Sequence, residues 1–270
     1  MPELPEVETV KNTLKEFLLQ RTIKNINIRY SKIIRNITEE DFCYKLIEKK
    51  VTDINRIGKY LIIELDDIAL ITHLRMEGKF YYRNECFLSK HDHICFQLDN
   101  NMFLVYNDTR KFGTMNIETL NSITNVNYIK KLGLEPSDKR LTSEYLFDKI
   151  SNKKIAIKTA LLDQTIISGL GNIYADEVLF ESKIYPTTKC CNISHNNCKS
   201  IIENAKLVVD KAIKAGGTTI KSYTSSEGVH GKFQNYLNVH TKNNCAVCGG
   251  EITKIKVNGR GTYYCKKCQG

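Results

Sequence analysis

The sequence lacks any run of about 18 uncharged apolar residues, the length a bilayer-crossing helix needs, so a membrane span is not expected. It also lacks the basic opening of a secretory signal. Met1-Pro2-Glu3-Leu4-Pro5-Glu6 is acidic, and a cytoplasmic location is the expectation. There is no internal repeat and no low-complexity tract. Acids are in deficit: thirty Asp and Glu against forty Lys and Arg give a net charge of +10. That balance favours a polyanionic partner through release of counterions from phosphates, although many basic proteins bind no nucleic acid. The deficit is sharpest at the end, where Lys242, Lys254, Lys256, Arg260, Lys266 and Lys267 face a single acid, Glu251.

What is present is a chain of 270 residues with 41% apolar content, enough to bury a substantial core in two compact units or two plus a small module. Three regions separate by pattern. Residues 1–135 open with a helix in which Val7, Val10, Leu14 and Phe17 share one face at steps of three and four. Strand signals follow: Ile23 to Tyr30, Val51 to Arg56 and Tyr60 to Leu65 around Gly58-Lys59, then Ile94 to Leu98 and Met102 to Tyr106 around Asn100-Asn101. Short strands at this spacing predict a β-sandwich. Residues 136–235 read as helical, over 141–150, 155–162, 172–183 and 196–215, the last stopped by Gly216-Gly217. Residues 236–270 read as a small metal module. The class is α+β.

Ten cysteines could form a disulfide framework, but no export signal is seen and four have metal-ligand spacing. Cys245-x2-Cys248 and Cys265-x2-Cys268, sixteen residues apart, fit a four-cysteine zinc ribbon in which each pair supplies two thiolates from one tight turn. Four thiolates leave no open position, so one structural Zn2+ is expected and not a catalytic one. The residues between can form a hairpin whose tip, Asn258-Gly259-Arg260-Gly261, offers a guanidinium suited to phosphate oxygens or simply a solvated charge. Cys190, Cys191, His195 and Cys198 make a poorer cluster, since adjacent cysteines do not easily ligate one ion. The six cysteines outside the ribbon read as reduced thiols.

The opening Pro2-Glu3-Leu4-Pro5-Glu6-Val7-Glu8-Thr9 is only half explained as a helix start. Pro5 and Glu6 suit a first turn, whereas Pro2 and Glu3 do not need to be there. This string resembles the start of the formamidopyrimidine-DNA glycosylase family. The resemblance runs through His73-Leu74-Arg75-Met76, Asp108-Thr109-Arg110-Lys111-Phe112-Gly113, Leu132-Gly133-Leu134-Glu135-Pro136, Leu162-Asp163-Gln164, Gly169-Leu170-Gly171-Asn172-Ile173-Tyr174, Gly217-Thr218-Thr219 and Gly259-Arg260-Gly261-Thr262. It is colinear over essentially the whole chain.

The resemblance implies a β-sandwich with an N-terminal helix, a helix-two-turn-helix domain and the zinc ribbon. It further implies excision of oxidised purines (8-oxoguanine, formamidopyrimidines) from duplex DNA and cleavage of the abasic strand by a monomeric bacterial enzyme. Pro2, freed by removal of Met1, is the implied nucleophile and Glu3 the proton donor, with Glu6 organising the helix start. Lys59, otherwise a solvated hairpin lysine, is implied in proton transfer and phosphate contact, and Arg260 in δ-elimination. Met76, Arg110 and Phe112, the first and last of which would also suit a core, are the implied fillers of the gap left by an extruded nucleotide. His91, Lys153 and Asn172 match phosphate contacts, with Lys158 near them. Residues from about Thr218 to Gly228 would cover the extruded base.

Some positions depart from the family pattern: Arg75 and Glu77 stand for Gly and Ser, Thr109 for Pro, Lys111 for Arg, and His240-Thr241 for Tyr-Gly. A pyrimidine-directed, endonuclease VIII-like enzyme of the same fold usually has Gly where Leu4 stands and a different filler set. A binding module without catalysis would result if Met1 were retained, and a protein in which only the ribbon matters would not need the upstream motifs.

Overall fold

The computed structural model describes residues 1–218 and 231–269. These divide into two compact units: residues 1–2 with 6–130 and 231, and residues 3–5 with 131–218 and 232–269. The first unit's main stretch ends at residue 130, and Glu3–Pro5 belong with the second unit despite their place in the chain.

In the first unit, α1 (Leu4–Leu18) continues from Glu6 with Val7, Val10, Leu14 and Leu18 buried on one stripe. Each such burial is worth about 1.5–3 kcal/mol, far more than the differences in helix propensity along the segment. Phe17, expected on that stripe, is only partly buried and stacks on Tyr82 at 4.8 Å between centroids. The strands β1 (Ile23–Ile28), β2 (Val51–Ile57), β3 (Tyr60–Leu65), β4 (Ile68–His73), β5 (Lys79–Arg83), β6 (Asp92–Leu98), β7 (Phe103–Asn107) and β8 (Thr114–Thr119) form two four-stranded sheets. Their orders are β1-β6-β7-β5 and β2-β3-β4-β8, all antiparallel.

Ile63, Leu65, Leu70, Phe80, Ile94, Phe96 and Tyr106 fill the space between the sheets with the α1 stripe. A short α2 (Glu39–Leu46), N-capped by Thr38 through the Asp41 N–H, adds Phe42 and Leu46 to this core. On the other face of β3 and β4, Ile62, Ala69 and Ile71 pack on Ile123, just before α3 (Asn127–Lys130).

The second unit contains α4 (Ser143–Ile150), α5 (Ile157–Leu162), α6 (Asn172–Glu181) and α7 (His195–Lys214), close to the four expected helices. Their core gathers Leu146, Ile157, Leu161, Tyr174, Val178, Ile201 and Val209 around Leu4. The hairpin of β9 (Ile252–Val257) and β10 (Arg260–Cys265) turns at Asn258 and Gly259, with φ of 45° and 77°. Two successive positive φ angles define the turn that matches strand twist in a two-residue hairpin, which is why Asn-Gly stands there.

One expectation is corrected. Of the six cysteines read as reduced thiols, Cys86 and Cys95 form a disulfide, with Cα atoms 5.8 Å apart, while Cys43, Cys190, Cys191 and Cys198 are free. The segment after β5 folds back on β6, an approach that sequence spacing alone does not disclose.

Candidate functional site

In the first unit, Pro2 is buried and Lys59 follows Gly58 in the β2–β3 turn, where Gly58 takes a φ of 57°. The turn is braced from below. Arg56 donates from Nη1 to the Gly58 carbonyl at 2.8 Å and from Nε to Glu8 at 2.9 Å. Burial would raise the Glu8 carboxyl, but hydrogen bonds from Lys11 and Arg56 hold it below its usual range. His73, on the strand paired with β3, is driven down to about 3 by burial first, then by the charges of Arg75 and Lys59. It is therefore a neutral imidazole, and its Nδ1 accepts the Arg75 N–H at 3.0 Å.

Two buried carboxylates shape the loops that carry the other candidates. Asp108 is fully buried: Oδ1 accepts the Arg110 N–H, and Oδ2 accepts the N–H groups of Phe112 and Gly113, each at 2.9 Å. This wraps residues 109–113 around one side chain and leaves Arg110 and Phe112 exposed at the rim, the guanidinium 4.7 Å from the ring centroid. Met76 is partly exposed.

Asp92 serves residues 84–91 in the same way. It accepts from the Leu88 and Ser89 N–H groups at 2.9 and 2.7 Å, from Arg83 at 2.6 Å and from Asn107 at 2.6 Å. His91, half-buried, accepts the Asp108 N–H at its carbonyl, 3.0 Å, so the two loops share a backbone link.

A β-carbon on Gly113 would overlap the Tyr106 hydroxyl and lie 2.8 Å from Cζ, and that ring is completely buried. Gly113→Ala is therefore expected to cost about 2–3 kcal/mol by overpacking, read from the urea midpoint. An unchanged midpoint would mean that the ring yields without strain.

The departure at 75, Arg for Gly, gains a physical reading, and Lys111 shares the same backbone region, where Arg would be strained equally. Arg75 and Lys111 adopt φ of 55° and 57°, a region where glycine is unstrained and L side chains cost about 1–2 kcal/mol.

In the second unit, Glu3 sits at the N-terminus of α6. Its carboxylate accepts the N–H groups of Gly171 at 2.7 Å and Ile173 at 3.0 Å, donors that have no partner within the helix. A β-carbon on Gly171 would lie 2.5 Å from Glu3 Oε1, so only glycine admits the carboxylate. The preceding turn is fixed by Gln164, which donates to the Leu162 and Leu170 carbonyls and accepts from Gly169. Gly169, with a φ of 93°, in turn accepts the Leu4 N–H at its carbonyl, 3.0 Å. The Gln164 and Gly169-x-Gly171 motifs thus hold Glu3 and Leu4 in place.

Arg260 is exposed at the start of β10, and Lys153 is exposed before α5. Asn172 donates from Nδ2 to the Gly261 carbonyl at 2.9 Å. Lys158, expected beside the phosphate contacts, lies wholly inside. Its ammonium meets Asp176 Oδ1 at 2.7 Å, Thr262 Oγ1 at 2.8 Å and the Gly261 carbonyl at 3.1 Å. An ammonium has three donors, so this one holds the hairpin and has none left for a phosphate. Sequence reasoning also missed Asp92, Asp108, Asp176 and Glu177. Glu177 accepts the N–H groups of Asn238, Val239 and His240 at 2.7 to 3.0 Å, and burial raises its carboxyl against those bonds. Asp108 stands inside a quoted motif, which was its one signal.

The Sγ atoms of Cys245, Cys248, Cys265 and Cys268 lie within 4.8 Å of one another, with approaches of 3.4 and 3.8 Å. Tetrahedral Zn–S bonds of about 2.3 Å require S···S edges of about 3.8 Å, so the four thiols fit one zinc. Among the described residues this is the single cluster of three or more metal-ligating side chains. The 218–228 segment expected to cover the base lies, from 219 on, outside the described residues.

Family models match in three consecutive stretches: the formamidopyrimidine-DNA glycosylase N-terminal domain over residues 1–115, the H2TH domain of the same family over 132–224, and the zinc finger found in FPG and IleRS over 244–270. The chain belongs to the formamidopyrimidine-DNA glycosylase family. The formamidopyrimidine-DNA glycosylase of Ureaplasma parvum is 45% identical over 274 residues, covering all of both chains. Two Lactococcus lactis Fpg structures, one with DNA containing N7-benzyl-Fapy-dG and one with DNA containing an abasic site, each superpose with a TM-score of 0.93 at 38% identity, over 99% of both chains. The zinc is accordingly a single structural ion held by the four cysteines. No described helix is long and apolar enough to cross a membrane.

Proposed function

We propose that this protein is a bifunctional repair enzyme that excises oxidised purines from duplex DNA and then cuts the abasic strand by β,δ-elimination through Pro2. The observation that carries this reading is family membership along the whole chain, with relatives held on both a formamidopyrimidine lesion and an abasic site. The Glu3 setting supports it, because a residue next to the nucleophile is fixed by a turn that only Gly169 and Gly171 permit.

Removal of Met1 exposes the secondary amine of Pro2. Its lone pair bonds to C1′ as the C1′–N bond to the base breaks, and Glu3 supplies and relays the proton at the sugar. The C1′–O4′ bond then breaks, with O4′ taking the proton that Glu3 relays, and the resulting iminium has no N–H to lose, so it remains cationic and draws electrons from the 2′ carbon. Loss of the 2′ proton then expels the 3′ phosphate, and a second elimination expels the 5′ phosphate and frees the sugar remnant. Lys59 assists proton transfer and holds phosphate, and Arg260 serves the second elimination.

Met76, Arg110 and Phe112 fill the gap after extrusion, a step costing about a few kcal/mol, while His91, Lys153 and Asn172 hold the backbone. The functional division at 1–135, 136–235 and 236–270 is part of this proposal.

The test is to incubate the Met1-free protein with a duplex carrying 8-oxoguanine opposite cytosine, add borohydride and map the crosslinked residue. A crosslink at Pro2 is expected. Tight binding with no crosslink would overturn the covalent assignment and favour a binding-only protein.

A further inference from the structure

The reading of Arg260 in the second elimination leaves open what holds this exposed arginine where the chemistry needs it. Its turn has no packing of its own: a β-carbon on Gly259 would meet nothing within 4 Å, and Asn258, Gly259 and Arg260 are all exposed. Yet the three residues that follow are each tied down. The Gly261 carbonyl accepts from Lys158 at 3.1 Å and Asn172 at 2.9 Å. Thr262, wholly buried, accepts from Lys158 at 2.8 Å and donates from Oγ1 to the Arg260 carbonyl at 3.1 Å. The Tyr263 N–H donates to Asp176 Oδ2 at 3.3 Å.

All of these ties except that from Asn172 lead to Asp176. It is buried on α6 and pairs with Lys158 through Oδ1 at 2.7 Å. Through Oδ2 it meets His240 Nδ1 at 2.8 Å, so it fastens the stretch leading into the ribbon as well as β10. A buried ammonium without its carboxylate is strongly disfavoured, so Asp176 is what keeps Lys158 inside and pointed at Gly261 and Thr262. The same helix presents its first N–H groups to Glu3. Glu3 and Arg260 are thus referenced to α6 less than two turns apart.

We propose that Asp176 is a positioning residue for the second elimination: through Lys158 and Thr262 it sets the backbone at Arg260, and it touches no reacting atom. This rests on the role of Arg260 given above. It separates the two cleavage steps, since loosening the hairpin tip should slow the step that needs Arg260 and spare the steps that depend on Pro2.

The experiment compares Asp176→Asn, Thr262→Val, Thr262→Ser and Arg260→Ala as full-length zinc-loaded proteins on a duplex with a single abasic site, under single turnover. Three quantities are read: the ratio of δ to β product, the borohydride-trapping yield and the zinc content. Asp176→Asn and Thr262→Val should lower the δ rate by about ten- to a hundredfold, as expected for a catalytic group displaced by about 1 Å, with trapping within about twofold of the parent. Thr262→Ser, which restores the hydroxyl, should recover the parent ratio.

Thr262→Val leaves the buried ion pair in place and decides the matter if Asp176→Asn loses zinc. A parent-like ratio in Thr262→Val, beside a lost δ product in Arg260→Ala, overturns the inference and leaves the Arg260 reading standing. A parent-like ratio in Arg260→Ala overturns both. An equal fall in β and δ with zinc retained shows a general structural role and also overturns the inference.

Discussion

Glu3→Gln should slow excision of 8-oxoguanine by about 10²–10⁴-fold, the range general acid catalysis supplies, while the protein still folds. The substitution keeps the side-chain shape but changes what it can do where it sits. Both carboxylate oxygens accept backbone N–H groups at the start of α6, from Gly171 at 2.7 Å and Ile173 at 3.0 Å. A glutamine amide has one acceptor oxygen and an NH2 group with two donors, so it must turn an N–H toward one of these N–H groups or leave the site. It also has no proton to give to the sugar. A pre-formed abasic site needs no base to leave, so strand cutting there should fall much less. Single-turnover rates on the two substrates check this, and an equal loss on both would remove Glu3 from the excision step and make it a fold residue.

Removing zinc, with a chelator or by Cys265→Ser, should abolish strand cutting and tight DNA binding while the β-sandwich stays folded. The ribbon core consists of little more than Phe180, Val239, Cys245, Ile252 and Cys265, two of which are the metal ligands themselves. Structural zinc supplies about 10–16 kcal/mol in small zinc-finger peptides, more than so small a core can replace. Hydrogen exchange should therefore show the N–H groups of 252–265 losing protection together, with those of β3 and β4 unchanged. Persistence of protected hairpin amides in zinc-free protein would show that the anchoring to α6 suffices.

Much of this was legible in sequence because the signals were local. The α1 stripe, the Gly58-Lys59 and Asn258-Gly259 turns and the paired cysteines each declare themselves within a few residues. What stayed hidden was two-sided or long-range. β4 is buried on both faces, so Ile68-Ala69-Leu70-Ile71 shows no alternation, and α2 is short and polar on its outer side. Lys158 looked like a phosphate ligand because its burial depends on Asp176, eighteen positions along, and on Thr262, beyond the ribbon's first cysteines. The Cys86–Cys95 bond likewise depends on a fold-back that no spacing rule encodes. The family motifs carried the functional reading, but they did not reveal that Asp92 and Asp108 build the loops on which the motif residues stand.

The loop at 109–113 takes its shape from main-chain N–H groups gathered on Asp108, and the side chains of Thr109, Arg110, Lys111 and Phe112 contribute nothing to that framework, all four being exposed. Substitution at Thr109, Arg110 and Phe112 therefore leaves the main-chain bonds to Asp108 in place, whereas Lys111 is also constrained by its φ of 57° and its contact with the Tyr30 ring. With Arg110 and Phe112 in the roles proposed for them, a lineage can try new side chains there, provided Asp108, Gly113 and the ring of Tyr106 stay as they are. On that proposed role, opposite-base preference would rest on side chains the scaffold beneath them does not need.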